Sequence, residues 1–514
     1  MKKLVKLFSL TMAMLMVFAL FAACGKTEDD QTTSGGEGQT ASGRTDVIIA
    51  TANEPPTLHP YNHNAVAANY MNGLTYNTLM TSDLDTMEPI PCLAEKVAPI
   101  DDNNWEIQLV KGVKFHNGEE MKAADVKASM EWGRSDYSAY TSIYTNWWDE
   151  IEVVDDYTIR VHTPTPCAKA TINLTRMKIV PKSLIDAGND FNANPIGTGP
   201  YKYVKWTLGD SLEFEAFEDY FKGAPAIKSM TWRIVPEGSS RTIALEAGEI
   251  DFIVEVESND LTRLQESKGI TVLNQTGTGH NGMILNTKQY PFDNVDFRKA
   301  LNCMVDKNAV MQVALNGAGT GIWGQTPAVF PGYSEENIDS YDLKKAQEYL
   351  DQSGMDPSTV VFSCICSDDV KRRAAEVIQA NLAEFGITMN LESMDLATYL
   401  AAVQDGDFEA ALGGYTTSDM MSYIEGKYLS VAAGGSAKNF TDDKLDELYL
   451  KAVKTLDEKD RMDLLEQCAA RLNEMCPQVT TYLTNVTRAY NANLQGIKVS
   501  PSGGLHWEDV SWGE

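Results

Sequence analysis

Histidine is scarce in this chain, with six among 514 residues, scattered at positions 59, 63, 116, 162, 280 and 506. His59 and His63 are four apart, but Pro60 between them argues against a shared helix face and a metal pair. No two cysteines have CxxC spacing, which excludes the usual structural zinc site. A Walker lysine motif, GxSxG and HExxH are all missing, so the sequence carries no nucleotide loop, hydrolase elbow or zincin helix. Gly319-Thr-Gly321-Ile-Trp-Gly324 matches GxGxxG, but it follows helical spacing (Val310 to Asn316) and precedes Pro327 and Pro331, so it reads as a loop. No stretch of 18 apolar residues occurs, so no membrane-spanning helix is expected. Positive charge is also in deficit: 43 Lys and Arg stand against 72 Asp and Glu, a formal net charge of -29. Such a surface repels phosphate backbones, which excludes nucleic acid as a partner. With so many acids, carboxylate pairs are unavoidable and carry no inference of glycosidase chemistry. No catalytic constellation, cofactor or metal is expected.

What is present begins with an export signal. Lys2, Lys3 and Lys6 form a positive start, and Leu7 to Phe21 is an apolar run too short for a membrane span. Ala22-Ala23-Cys24 follows, a small-residue junction at which a lipoprotein signal peptidase cuts, making residues 1–23 the leader and Cys24 the lipidated N-terminus. Residues 24–44 read as a flexible tether, polar and rich in Gly, Ser and Thr. Seven cysteines remain, an odd number that leaves at least one thiol free, and they read as small buried hydrophobes. Cys364 and Cys366 alternate on one strand face.

From Arg44 onward the patterning is mixed α/β. Asp46 to Asn53 and Trp105 to Val110 read as strands, Ala123 to Arg134 as a helix, and Glu152 to Thr163 as a hairpin. Further strands are expected over 199–206, 211–218, 230–235 and 251–256, with a short helix over 241–247. Val360 to Cys366, a helix over Asp369 to Phe385 and a strand over Thr388 to Met394 make a βαβ unit, which demands parallel pairing. A helix over 396–404 and a strand over 408–415 extend it; two helices over 441–475 and a strand over 478–484 follow. Aromatics crowd two segments, one with Tyr61, Tyr70 and Tyr76, the other with Tyr137, Tyr140, Tyr144, Trp147 and Trp148. Tyrosine offers an apolar face with a hydrogen-bonding tip, suited to varied ligands, although packing accounts for most single aromatics.

Several blocks in order carry a resemblance: Glu54-Pro-Pro-Thr-Leu-His-Pro60, Trp105 to Val126 with its KGVKFHNGEE core, Asn194-Pro-Ile-Gly-Thr-Gly-Pro-Tyr201, Leu245-Glu-Ala-Gly-Glu-Ile-Asp251 and Pro291 to Ala300. The chain resembles the bacterial extracellular solute-binding proteins of the peptide/nickel type that serve ABC importers. The resemblance implies a periplasmic-binding-protein-like α/β fold (type II) with two main lobes on a hinge and an extra inserted lobe. The implied bounds are 45–73, 181–275 and 480–514 for lobe I, 74–180 for lobe II and 276–479 for lobe III. It implies a monomer that captures a small solute, a peptide above all, and passes it to a membrane permease and ATPase complex. A sugar oligomer, an opine-like conjugate, a chelated metal or a peptide-sensing role are the alternatives.

Peptide members of this family hold the ligand ammonium with an aspartate in a GW-x-x-D segment. Gly414-Tyr415-Thr416-Thr417-Ser418-Asp419 matches it here, with Tyr415 for tryptophan, Ser418 at the usual aspartate position and Asp419 one residue beyond. Dipeptide members place a carboxylate-holding arginine before the helix that carries Arg372 and Arg373, where Ser363 to Ser367 has none. The resemblance thus implies ligand-binding residues Tyr61, His63, Asn64, Tyr140, Gly414, Tyr415, Thr416, Ser418, Asp419 and Tyr482.

Overall fold

The computed structural model describes residues 43–63, 65–134, 147–430 and 438–513. Residues 42–513 form one compact unit. Its backbone is an 11-stranded mixed sheet with a separate four-stranded antiparallel sheet. No helix among the described residues is long and apolar enough to cross a membrane.

The expected βαβ unit is present. Strand Val361–Cys366 pairs in parallel with Thr388–Ser393 across helix Asp369–Ala383. Asp368 starts that helix by accepting a hydrogen bond from the Lys371 amide at 2.9 Å. Ala374, Ile378 and Leu382, spaced by four, form its buried stripe. Strand Ala410–Tyr415 adds to the same edge. All seven cysteines from Cys92 to Cys476 are free thiols, and Cys364 and Cys366 are both fully buried on one face. Trp105, Ile107 and Leu109 alternate inward on strand Asn104–Leu109, which joins the hairpin Glu150–Asp155 and Thr158–His162 in the four-stranded sheet. Trp147 and Trp148 pack into that sheet's core.

Two long strands, Ile270–Leu285 and Gln478–Asn491, pair antiparallel over nearly their whole length and join the two ends of the large sheet. Toward one end lie strands Asp46–Thr51, Ser229–Ile234, Ser211–Ala216 and Tyr201–Thr207; toward the other lies the βαβ unit. The register shifts between Thr276 and Gly279 and again at Asn281. The expected strand over 251–256 is shorter, because only Phe252 and Ile253 find partners, at Ile49–Ala50 and Tyr490–Ala489. The segment read as a loop at Gly319–Gly321 is instead a three-residue strand on the edge of Tyr482–Thr484. A GxGxxG spacing therefore serves sheet pairing here: the small residues bring the backbone against its neighbour.

The sequence blocks that carry the resemblance act as scaffold. A Cβ at Gly197 or Gly199 would overlap the Thr75 carbonyl, so this turn must lack side chains to lie against helix Val66–Thr75. The Gly199 amide donates to Thr75 O at 2.9 Å, and His116 Nε2 lies 2.9 Å from Gly199 O. Burial holds His116 down to about 4, so it is a neutral strut. Arg298, 2% exposed, donates to the carbonyls of Phe292, Met475 and Cys476, tying helix Val295–Met304 to the end of helix Glu458–Met475. Asp251 takes a bidentate clamp from Arg44 at 2.6 and 2.7 Å.

Candidate binding site

Helix Val66–Thr75 presents Val66, Asn69, Tyr70, Asn72 and Gly73 to a cavity of about 540 Å³. Its floor is aromatic: Tyr70 stacks on Trp232 at 6.0 Å, Trp232 meets Trp507 edge-on at 6.1 Å, and Phe252 meets Trp507 at 5.1 Å. Thr175, Lys178, Lys222, Arg488 and the turn Ser502–Glu508 complete one side, while Thr416 and Thr417 close it from beyond strand Ala410–Tyr415. The volume falls within the range of about 300–1,000 Å³ usual for small-molecule sites, and the mixture of aromatic faces with a few polar tips is their usual composition.

Charge in this wall is predominantly positive. Arg488, 4% exposed, donates to Thr487 O at 3.0 Å and Gly503 O at 3.1 Å. Lys178 is held down to about 8, first by burial and then by the charge of Arg176. Glu508 is the one carboxylate of the lining; Tyr220 donates to it at 3.4 Å and His506 Nδ1 lies 3.7 Å away.

Among the sequence-expected site residues, Thr416 lines the cavity. His63 is buried one contact behind the wall, its Nε2 at 2.6 Å from Asn72 Nδ2, and is held down to about 4 by burial and then by Lys178. Tyr61 packs in a core cluster against Trp132, its hydroxyl donating to Lys178 O. Gly414 lies in the sheet opposite Asn281, where a Cβ would overlap that side chain. Tyr415 turns away from the cavity toward Tyr423, centroids 5.9 Å apart. Asp419 begins helix Met420–Lys427, accepting from the Ser422 amide at 2.7 Å, and its other oxygen accepts from Arg176 at 3.2 Å; Ser418 Oγ sits 3.3 Å from the same guanidinium. Tyr482 is 3% exposed and belongs to the core beneath the βαβ unit. Asn64, Tyr140 and Cys24 lie outside the described residues.

Sequence reasoning singled out Tyr70 and Tyr76 only as members of an aromatic segment; both line the cavity. It missed Lys178, Arg488, Trp232 and Trp507, which stand far apart in the chain and share no motif. Among the described residues no group of three His, Cys, Asp or Glu side chains is arranged to hold a metal ion.

Residues 88–434 match the model of the bacterial extracellular solute-binding proteins, family 5 middle region. The chain belongs to this family. It is similar along nearly its whole length to the glutathione-binding protein GsiB of Pectobacterium atrosepticum, with 26% identity over 487 residues, 90% of this chain and 94% of the relative. The dipeptide-binding protein of Escherichia coli K12 is 25% identical over 474 residues, 85% of this chain and 88% of that one. The solved structure of HbpA2 from Haemophilus parasuis superposes with a TM-score of 0.83 at 24% identity, covering 91% of this chain and all of the other, so the fold is that of the periplasmic binding proteins. Members of this family are exported proteins that bind small solutes and work with ABC permeases and ATPases; they are not enzymes. For this family-5 chain, the blocks around Gly197–Gly199 and Arg298 are thus framework.

Proposed function

We propose that the chain is the peptide receptor of an ABC importer, anchored to the outer face of the cytoplasmic membrane through a lipid on Cys24. The observation that carries this reading is the cavity of about 540 Å³, whose aromatic floor and polar rim suit a short peptide with variable side chains. Relatives named for glutathione and for dipeptides, alike over most of their length, support the same solute class. In this reading residues 45–73, 181–275 and 480–514 form lobe I, 74–180 lobe II and 276–479 lobe III. Separate buried clusters around Trp232, around Ile107 and around Phe362 support that division, and the two long strands crossing between clusters supply the hinge. A solute bridging Tyr70 on one side and Thr416 on the other would favour the closed form.

Calorimetry of the tether-plus-body protein with glutathione and with di- to tetrapeptides tests the solute. Binding of at least one of them at micromolar Kd or tighter is the expected result, and loss of uptake of that peptide on deletion of the gene separates an importer from a sensor. If no peptide binds while another solute co-purifies in the cleft, the peptide assignment fails and the family-level role stands.

A further inference from the structure

The chain carries far more acids than bases, yet three basic side chains, Lys178, Lys222 and Arg488, line its cavity against one carboxylate, Glu508. Elsewhere many of its basic side chains sit in ion pairs, such as Arg44 with Asp251, Arg471 with Asp442, Arg263 with Glu246 and Lys498 with Asp85, while Arg298, Lys307 and Lys427 donate to neutral oxygens. The cavity cations face open space instead. Among the described residues, no carboxylate lies within ion-pair distance of Arg488 or Lys178, and the Lys178 ammonium makes no hydrogen bond; only the backbone carbonyl of Lys178 is used, by Tyr61. The charge that acts on Lys178 is a like one, Arg176, and that guanidinium is already committed to Asp419. Arg488 is met by the Tyr70 hydroxyl, a neutral partner that itself lines the cavity, and after it by Glu255 at a distance.

A buried charge without a counter-charge is costly, and in a cavity wall a bound anion can relieve that cost. Arg488 spends one N–H from each terminal nitrogen on the Thr487 and Gly503 carbonyls and brings its fixed charge and remaining N–H groups, while Lys178 is a point charge. Burial depresses both groups, and no carboxylate in contact offsets it.

We propose that Lys178 and Arg488 form the anion-recognition pair of the cleft, so that the solute is a net-negative, carboxylate-bearing one. This rests on the solute-receptor reading above and deepens it from peptide to acidic peptide. The carboxylate comes either from an acidic side chain or from the peptide C-terminus, and the two sources are separable.

The test is calorimetry with Ala-Glu-Ala, Ala-Gln-Ala and their C-terminal amides, and with citrate as a carboxylate that is not a peptide, on wild type, Lys178→Met and Arg488→Gln. Wild type is expected to bind the most anionic peptide at least about tenfold tighter than Ala-Gln-Ala amide, which has no carboxylate, and each variant to erase that preference. Discrimination by the Glu side chain assigns the site to an acidic residue, and discrimination by the amide assigns it to the C-terminus. Binding of citrate alone, lost in Lys178→Met, overturns the peptide reading and keeps the anion site. Equal affinity for charged and amidated peptides, or no binding by any carboxylate, overturns the anion site. A second readout does not need a ligand: an unpaired cation destabilises the empty protein, so ligand-free Lys178→Met is expected to melt at or above the wild-type temperature. A clear drop in its melting temperature would show that Lys178 is a structural cation and would also overturn the proposal.

Discussion

Arg176 and Asp419 stand 243 residues apart in the chain and meet in an ion pair of 3.2 Å beside the cavity. The pair links the segment that carries Lys178 to the start of helix Met420–Lys427, whose first turn also offers Ser422 Oγ to the same guanidinium at 3.3 Å. Asp419 thus serves two positive partners at once, a guanidinium and a helix N-terminus. A solute ammonium would have to displace or share Arg176 to reach it.

Because the cap and the ion pair use different oxygens of Asp419, two substitutions separate them. Asp419→Asn keeps a capping oxygen and loses the charge; it is expected to cost less than about 1 kcal/mol, as for a partly exposed ion pair. Asp419→Ala loses both and is expected to cost about 1–2 kcal/mol. Urea unfolding of both variants measures the difference, and equal losses would mean that the cap contributes nothing. The same variants titrated with a peptide and its N-acetylated form report whether an ammonium is read here. A loss of more than about tenfold confined to the free amine would place the ammonium at Asp419.

The turn at Gly197–Gly199 yields a prediction from packing alone. Gly199→Ala forces a methyl into the Leu74 and Thr75 backbone, which cannot retreat without moving the helix that lines the cavity. Overpacking against backbone is expected to cost about 1–3 kcal/mol or more. Thermal melting should show a clear drop, together with weakened solute binding. The same change at Gly209, where nothing lies within 4 Å, meets no obstacle, and its cost comes from its positive φ of 71° alone.

The contrast between these two sites bears on how much the sequence disclosed. The βαβ unit was legible because its helix has a four-residue stripe ending in Leu382 and an aspartate cap at Asp368, signals that are local. The 16-residue strand Ile270–Leu285 was not, because its middle, Thr276 to Gly282, alternates glycine with polar residues and has no apolar period; its conformation is imposed by Gln478–Asn491 and Ala410–Tyr415 on either side. The motif glycines announced a family without revealing that their task is close approach to Thr75. Lys178, Trp232, Arg488 and Trp507 became a site only through topology, since no spacing in the chain relates them.

Lys427 is half-buried at the end of helix Met420–Lys427, donating to Gln478 Oε1 at 2.7 Å and to the Tyr423 hydroxyl at 3.3 Å, with the rings of Tyr423 and Tyr428 each 5.4 Å away and no acid in contact. Burial holds it down to about 7 from an ordinary value of 10.5. In the unfolded chain it keeps its proton up to about 10, so between pH 7 and about 10 the unfolded state binds more protons than the folded one. Stability from this group therefore rises with pH across that window and is absent below pH 7. Melting temperatures between pH 7 and 9 are expected to climb, with a shallower climb in Lys427→Met. Buried Lys307, also held at about 7, and Lys178, held at about 8, contribute a residual slope in that variant. An unchanged slope in Lys427→Met would show that Lys427 is not the titrating group.

Anchoring is testable apart from folding. Cys24 follows Ala22-Ala23 and precedes a polar tether, so Cys24→Ser is expected to release the body from membranes or to leave uncut precursor, with solute affinity unchanged. Fractionation of wild type and variant by ultracentrifugation checks it; identical membrane association would rule out the lipid.

Closure on the solute gives the last prediction. The cavity draws one side from Tyr70, Trp232 and Arg488 and its other side from Thr416 and Thr417, and the strands joining these regions shift register at Gly279 and Asn281, where the ladder is locally interrupted. A solute that touches both sides binds the closed form more tightly than the open one and shifts the population accordingly. The shift is limited by that difference in affinity, so a ligand gripping one side only would bind without closing the protein. Small-angle scattering at saturation with the tightest peptide found by calorimetry should show a smaller radius of gyration than the empty protein. At a hundredfold excess over Kd, mass action also adds about 2.7 kcal/mol of stability, visible as a raised melting temperature. The two readouts divide the outcomes: a raised melting temperature with an unchanged radius would mean binding without closure, from a one-sided grip or a cleft already closed when empty, and would overturn the proposed hinge motion.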